Sequence, residues 1–387
     1  MIPIKLNQVV NVLFGLKRII MLRQQPAIAS TNSINNASST QGVKVALVAE
    51  GGGQRGIFTA GVLDLWLEQG HDPFDILIGT SAGSQNLTSF VARQKGYAKR
   101  LIRGLTRHKR FFQMGRGLVG KHIVDLDWYF DKTQEANRLL DFDTAKRNVS
   151  NREILFTATN ARDRKAYYLN PMKSEHNWVD LIKASSALPL LYKQGVKLKT
   201  DAKAQQAANT DFYLDGGLAA PLPVTEAYKR GATKIVVIRT VDEGFQAQSP
   251  WLQKISAIMC STGHCPKTID YLLQHEHAYQ KELAFIDNPP EGIEIVQIFA
   301  SKKLQSKLLG SSDEQLRHDY KLGREAGQVY LSNEASSIHE ETRYEAGAHN
   351  FENNISVKPV ELEPMVSLPP FVTDTAKEAS GINRLSA

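Results

Sequence analysis

The sequence predicts an α/β fold, a largely parallel central sheet sandwiched by helices, and three observations lead there. Short apolar runs rich in β-branched residues recur at 43–49, 75–78 and 234–240. A continuous apolar run of strand length marks a strand buried on both faces, as in a parallel sheet. The first two runs each pass through a glycine-containing turn into a stretch with apolar residues at helical spacing. Strands then go on alternating with helices, the pattern of βαβ units.

In chain order, the strand at 43–49 is followed by the turn 51–56 and a helix at 57–69, with Leu63, Trp66 and Leu67 at helical spacing and a stop at Gly70. The unit repeats as a strand at 75–78, a tight turn at 79–83 and a helix at 84–94. Residues 154–159 and 165–169 read as strands, and 178–187 as a helix ended by Pro189. The run 212–214 leads into Asp215-Gly216-Gly217, residues 223–229 form a helix closed by Gly231, and 234–240 is another buried strand. Helices at 266–285 and 313–331, with a strand at 293–299, extend the fold.

At 387 residues, 42% apolar and 22% charged, the bulk of the chain is neither disordered nor fibrous. Three regions are expected: an N-terminal leader and flexible linker at 1–42, an α/β domain at 43–333, and an acidic, proline-containing tail at 334–387. The core motifs of the domain lie in 43–240, with a helical extension to 333. In the leader, Lys17 and Arg18 interrupt the apolar run 9–22 where a cleaved signal would continue. A floppy leader, an amphipathic helix lying on a membrane and a true start at Met21 all stay open. No apolar run reaches the ~18 residues that span a bilayer. Cys260 and Cys265 are too few for a disulfide framework or a zinc site, and reduced thiols suit a cytoplasmic protein.

The net charge of +7 is unevenly placed. Residues 93–121 hold ten Lys/Arg and no Asp/Glu, whereas 334–387 hold four against nine. Such asymmetry points to an anionic surface or substrate, or to an internal contact between the two stretches.

Ligand chemistry in an open parallel sheet sits past the carboxyl ends of the strands, and three unusual turns occupy that position. Gly79-Thr80-Ser81-Ala82-Gly83 matches G-x-S-x-G, the nucleophile elbow, between a predicted strand and a predicted helix. Gly79 and Gly83 remove the Cβ atoms that would clash at so sharp a turn. The turn Gly51-Gly52-Gly53-Gln54-Arg55-Gly56 has two readings. A dinucleotide fingerprint needs an acidic residue at the end of the second strand, but Asp72 and Asp75 precede that strand. An oxyanion hole needs exposed backbone amides, which consecutive glycines supply, with the positive charge of Arg55 beside them. Asp215-Gly216-Gly217 alone is an ordinary turn; beside Ser81 its carboxylate becomes a candidate base.

G-G-G-x-R-G, G-T-S-A-G and D-G-G in this order resemble the patatin-like phospholipases, and the bacterial branch is the nearest. The resemblance covers about residues 43–300 and implies a serine lipid acyl hydrolase with a Ser-Asp dyad, no metal and no cofactor. It implies Ser81 as nucleophile, Asp215 as general base and the amides around Gly52, Gly53 and Ala82 as oxyanion hole, with Arg55 supporting the loop or the developing charge. The stretch Lys183-Ala184-Ser185-Ser186-Ala187-Leu188-Pro189 is similar to a helix of that family, with packing as its expected role. The substrate class implied is a phospholipid or another acyl lipid.

Two rivals remain at this stage, a Ser-Asp-His α/β-hydrolase and a non-catalytic lipid- or nucleotide-binding module on the same fold. Histidines follow Asp215, but the elbow comes early for the first rival. His275-Glu276-His277 is no metal motif, since residues two apart diverge on a helix, and ordinary surface histidines are expected. In the basic stretch 93–121, Arg/Lys interleave with Leu101, Ile102, Leu105, Phe111 and Phe112. No nucleic-acid recognition motif accompanies it. A solvated amphipathic face and peripheral contact with anionic lipid at the inner face of the membrane are both consistent with it.

Overall fold

The structure is a computed structural model that describes residues 43–118, 121–189, 191–192, 195–199, 210–245 and 267–352. The leader 1–42, both cysteines and the chain beyond 352 lie outside the described residues. In order, the elements are β1 (Val45–Ala49), α1 (Gly56–Glu68), β2 (Ile76–Thr80), α2 (Ala82–Val91), α3 (Tyr97–Gly104), α4 (Gly115–Leu118), α5 (Leu126–Thr133) and α6 (Phe142–Asn148). There follow β3 (Glu153–Asn160), β4 (Ala166–Leu169), α7 (Trp178–Ser185), β5 (Val196–Lys199), β6 (Thr210–Asp215), α8 (Val224–Lys229), β7 (Lys234–Ile238), α9 (Lys267–Asp287), β8 (Glu294–Ile298) and α10 (Asp313–Glu352).

The strands form one sheet of order β5-β6-β3-β2-β1-β7-β8, with β4 beside β3. β3, β2, β1, β7 and β8 are mutually parallel. The β3–β4, β3–β6 and β5–β6 pairings are antiparallel. Side chains alternate across the sheet with the period of two that a strand imposes. Leu47, Leu77, Val236 and Ile238 join one buried cluster, against Phe58, Val62 and Trp66 of α1 and Leu87 and Phe90 of α2. Ala46, Val48, Ile76, Ile78, Ile235 and Val237 join the other, with Val224 and Ala227 of α8 and Ile286 of α9. Helices on both faces account for strands that are apolar throughout.

Contact density divides the chain at 334 into units 1–334 and 335–387, and the described part of the second is the end of α10. The last helix, expected over 313–331, runs on to Glu352. Residues 334–352 are rich in Ala and Glu and free of proline, so acidic composition there masks good helix formers.

Candidate active site

β2 ends at Thr80 and α2 begins at Ala82, so Ser81 alone turns the chain, at φ 54 and ψ −119. A non-glycine residue held there stores about 1–3 kcal/mol of strain and persists only when its surroundings over-determine it. Those surroundings are visible. Gly83 lies so close to Ala49 O, and Gly79 to the backbone of Ser84, that a Cβ at either would collide. Ser84 Oγ donates to Gly79 O at 2.8 Å. From behind, Ser185 Oγ accepts the Ser81 N–H at 3.0 Å and lies 2.9 Å from Ser84 Oγ. Ser185, expected only to pack, thus braces the elbow.

The strand register explains why Asp215 meets this serine. Phe156 and Thr157 of β3 pair with β2 on one edge and β4 on the other, while Ala158 and Thr159 pair with β6 and β4. β6 therefore takes over the edge that β2 leaves. Thr157 faces Thr80, and the next residue, Ala158, faces Asp215. Two threonines lock the junction: Thr157 Oγ1 donates to Thr80 Oγ1 and Thr159 Oγ1 to Asp215 O, each at 2.9 Å. Gly216 has no room for a Cβ against Thr157, so the chain bends there. Ser81 Oγ donates to Asp215 Oδ2 at 2.8 Å, and the Gly217 N–H donates to Asp215 Oδ1 at 2.7 Å. Burial pushes the Asp215 carboxyl up to about 6, while the Gly217 amide and the Ser81 hydroxyl pull it down.

The glycine turn leads off β1 beside the serine, and a Cβ on Gly51 would lie 3.3 Å from Ser81 Cβ. Gly53, at φ 57, sits under Leu308, whose carbonyl a Cβ would strike. That carbonyl accepts Gln54 N–H at 2.9 Å. The buried Gln54 side chain accepts Ser311 N–H and donates to Thr106 Oγ1, both at 2.8 Å. Gly56 abuts Ala82 and Asn86. Arg55 is buried, feels the charges of Glu50 and Asp242, and is not among the residues that wall the pocket beside Ser81.

Ser81, Ala82, Asp215, Gly51, Gly52, Gly53 and Gly217 together border a pocket of about 110 Å³. Its other walls are mainly apolar, including Phe111, Leu126, Phe130, Leu188, Leu191 and Leu309. The basic stretch contributes Ile102, Thr106 and Phe111 to them. Much of its charge is matched locally. Arg93 pairs with Asp72 at 2.7 Å, Lys95 with Glu68 at 3.4 Å, Arg103 and Arg107 with Asp313 at 2.8 and 3.3 Å, and Arg110 and Arg116 with Asp125 at 3.9 and 3.5 Å.

One expectation about residues near the site changes, and one network is new. His277 is exposed, but His275 is buried in the pocket wall, with Nδ1 2.6 Å from Gly217 O. Glu50, Thr240 and Tyr279, none of them singled out in the sequence, form a buried network behind the glycine turn. The i, i+4 spacing of His275 and Tyr279 was the available signal, and it has meaning only once the helix is docked.

A family model described as patatin-like phospholipase matches residues 47–228, the span that holds all three turns. The chain is also 39% identical over 290 residues to the uncharacterized protein YjjU of Escherichia coli (strain K12), covering 75% of this chain and 77% of that one. The chain belongs to the patatin-like phospholipase family. A second model, a domain of unknown function (DUF6363), matches residues 265–337, beyond the part that this family's model describes. Among solved structures, similarity extends to VipD from Legionella pneumophila, at 13% identity and a TM-score of 0.40 over 75% of this chain and 67% of that one. Human GIVD cytosolic phospholipase A2 gives 10% and 0.40 over 78% and 60%, and the type III effector ExoU 12% and 0.36 over 76% and 53%.

Proposed function

We propose that this family member cleaves carboxylic esters of phospholipids or related acyl lipids, with Ser81 as nucleophile and Asp215 as general base. The observation that carries the reading is the 2.8 Å hydrogen bond from Ser81 Oγ to Asp215 Oδ2 at the wall of an apolar pocket. A serine hydroxyl is a weak nucleophile until a base takes its proton, and a carboxyl raised to about 6 is a better match to that task than an ordinary one. It is still ionised at neutral pH.

As Ser81 Oγ attacks the ester carbonyl, its proton passes to Asp215 and negative charge grows on the carbonyl oxygen. The amides of Gly52, Gly53 and Ala82 receive that charge, each such donor being worth about 3 kcal/mol of barrier. The α2 N-terminus adds its dipole there. Asp215 returns the proton to the leaving alcohol, then deprotonates the water that attacks the acyl-Ser81 carbonyl and hands that proton to Ser81 Oγ as the fatty acid leaves. Gly51, Gly56, Gly79, Gly83 and Gly216 let the three turns approach one another, and Arg55 supports the first of them. The apolar walls suit an acyl chain.

A triad with histidine between acid and serine finds no support, since Asp215 accepts directly from Ser81. A non-catalytic module would leave a strained serine on an elbow with no task. Fluorophosphonate labelling and hydrolysis of a fatty-acyl ester test the proposal. Both are expected to vanish in Ser81→Ala, and hydrolysis to vanish in Asp215→Asn with the fold retained; substantial turnover in either variant would sink the dyad.

The same reading places the enzyme at a lipid surface. No helix among the described residues is long and apolar enough to cross a membrane. The stretch 93–121 walls the pocket and carries the cations for peripheral contact with anionic lipid at the inner face of the membrane.

A further inference from the structure

The two turns that flank Ser81 share a weakness. Gly51, Gly52 and Gly53 on one side and Gly216 and Gly217 on the other have no side chains with which to anchor themselves. Glycine also has the most backbone freedom to lose. A base and an oxyanion hole nonetheless have to be held to a fraction of an ångström, so the anchors must come from elsewhere. α9 supplies them.

His275 and Tyr279 stand one turn apart on α9 and so share a face, with ring centroids 5.8 Å apart. Both are buried and both border the pocket. His275 Nδ1 lies 2.6 Å from Gly217 O. A carbonyl only accepts, so Nδ1 carries the proton and grips the peptide plane next to the Gly217 N–H that holds Asp215 Oδ1. Tyr279 donates to Glu50 Oε1, on the residue that opens the glycine turn. Burial and the charge of Glu50 raise the Tyr279 hydroxyl well above its ordinary value, so it remains a donor. Glu50 Oε2 accepts Thr240 N–H at 2.6 Å, and Thr240 Oγ1 donates to Gly51 O. Arg239, itself buried, donates to Tyr279 OH at 2.7 Å. Further along the same region, Leu308 O accepts Gln54 N–H at 2.9 Å over Gly53.

We infer that the region of residues 265–337, matched only as a domain of unknown function, is a working part of the active site: through His275 and Tyr279 it fixes the Asp215 turn and the glycine turn relative to one another. Both are positioning residues for the Ser81–Asp215 pair, and the inference rests on that reading of the pair. His275 acts on the base through Gly217, and Tyr279 acts on the oxyanion side through Glu50. The two effects are therefore separable.

The test uses the full chain with four measurements: the fluorophosphonate labelling rate, kcat and KM on an acyl ester, the pH profile of kcat/KM, and the melting temperature. His275→Ala is expected to slow labelling and kcat by up to about 100-fold with little change in KM, the cost of a base slightly out of place. Its acidic limb moves to higher pH, because a slack turn withdraws the Gly217 amide that holds the Asp215 carboxyl down. The titratable side chains that share the pocket are Glu50, Tyr129, Tyr192, His275 and Tyr279. His275→Asn offers an N–H near the Nδ1 position without an imidazole, so recovery of rate and limb in that variant assigns the effect to the hydrogen bond and not to a lost charge. Tyr279→Phe keeps the ring and is expected to lower kcat without moving the limb. His277→Ala, on the exposed side of α9, retains wild-type values. Wild-type rates in folded His275→Ala and Tyr279→Phe, with Ser81→Ala dead, would overturn this role alone. So would losses that track the melting temperature and are not rescued by His275→Asn. Turnover surviving in Ser81→Ala would remove the dyad and this role together.

Discussion

The hydroxyl of Ser185 accepts the backbone N–H of Ser81 at 3.0 Å, a hydrogen bond from the end of α7 into the one residue that turns the chain between β2 and α2. Without it the half-buried amide loses its partner, a cost of about 1–3 kcal/mol. Ser185→Ala is therefore expected to lower the unfolding free energy by about that amount in urea and to slow fluorophosphonate labelling of Ser81. An unchanged denaturation midpoint would show that the elbow holds its strained backbone without this brace.

Asp215 combines activity and instability in one carboxyl. As the base it has to be ionised, so hydrolysis is expected to fall as pH drops through about 6. Stability runs the other way. With a folded pKa of about 6 against an ordinary 3.8, the folded protein still holds a proton between pH ~4 and ~6 that the unfolded chain has released. Stability contributed by the protonated form is thus lost as pH rises across that window. The difference in pKa corresponds to about 3 kcal/mol. Asp215→Asn, neutral at every pH, is expected to be inactive yet up to about 3 kcal/mol more stable than the parent at pH 7, with the advantage vanishing near pH 4. Urea denaturation at the two pH values checks this. Equal stability at pH 7 would mean that hydrogen bonds to the carboxylate fully offset its burial.

His71 offers a second pH effect, far from the chemistry. Its ring sits among Trp66, Phe74 and Tyr330, with centroids at 5.3, 5.8 and 5.6 Å. Burial holds the imidazole below its ordinary value, against the pull of Glu334 and Asp72. The neutral ring is the form that fits, so its stabilisation is complete above ~6.5 and falls as pH drops below that, where the unfolded chain takes up a proton more readily. Thermal melts of wild type and His71→Phe, compared at each pH between 5 and 8, isolate this group from the opposite trend at Asp215. The gap between the two is expected to shift in favour of the variant toward pH 5. A pH-independent gap would show that His71 titrates alike in both states.

The parts of the fold that were legible are those whose residues answer to one local rule. β1, β2 and β7 are buried on both faces and read as unbroken apolar runs, and the two strand-turn-helix units follow from glycines beside them. β5 was missed because four residues, Val-Lys-Leu-Lys, acquire their meaning only from pairing with β6. α5 and α6 were passed over although each opens on an aspartate cap, Asp125 to Trp128 N–H at 3.0 Å and Asp141 to Thr144 N–H at 2.9 Å. Short helices amid charged residues show little periodicity. In the site, the residues whose type is dictated by backbone geometry were visible: Ser81 between its glycines, the glycine turn, and Asp215 before Gly216. Glu50, Ser185, His275 and Tyr279 were not, because nothing in their neighbours along the chain shows that they join the turns to segments 58 to 229 residues away; the His275–Gly217 contact spans the smallest of these separations and the Tyr279–Glu50 bond the largest. The hand-over of one edge of β3 from β2 to β6, which sets Asp215 against Ser81, is likewise a matter of register and has no local signature.

The basic stretch can now be divided into cations that are matched and cations that are not. Six of its ten lie within 4.0 Å of a carboxylate, and Lys99 covers the Tyr320 ring at 3.8 Å. Arg100 lies over the Tyr97 ring at 5.9 Å, and Lys109 and Lys121 are exposed; among the described residues none of the three has a carboxylate in that range, and Met114, 39% exposed, lies between the two lysines in sequence. A cation already paired gains little from a phosphate, whereas a free one contributes about 1 kcal/mol at an anionic surface. Lys109→Ala with Lys121→Ala is therefore expected to weaken binding to phosphatidylserine-containing vesicles by about 30-fold at low salt, a sum of about 2 kcal/mol. Arg93→Ala is expected to change it little, since Arg93 already pairs with Asp72 and that carboxylate retains Arg152 at 2.8 Å. Added salt should erase the difference between wild type and the double variant. Vesicle binding that responds neither to the lysine substitutions nor to salt would reduce the stretch to a solvated outer face of the pocket wall.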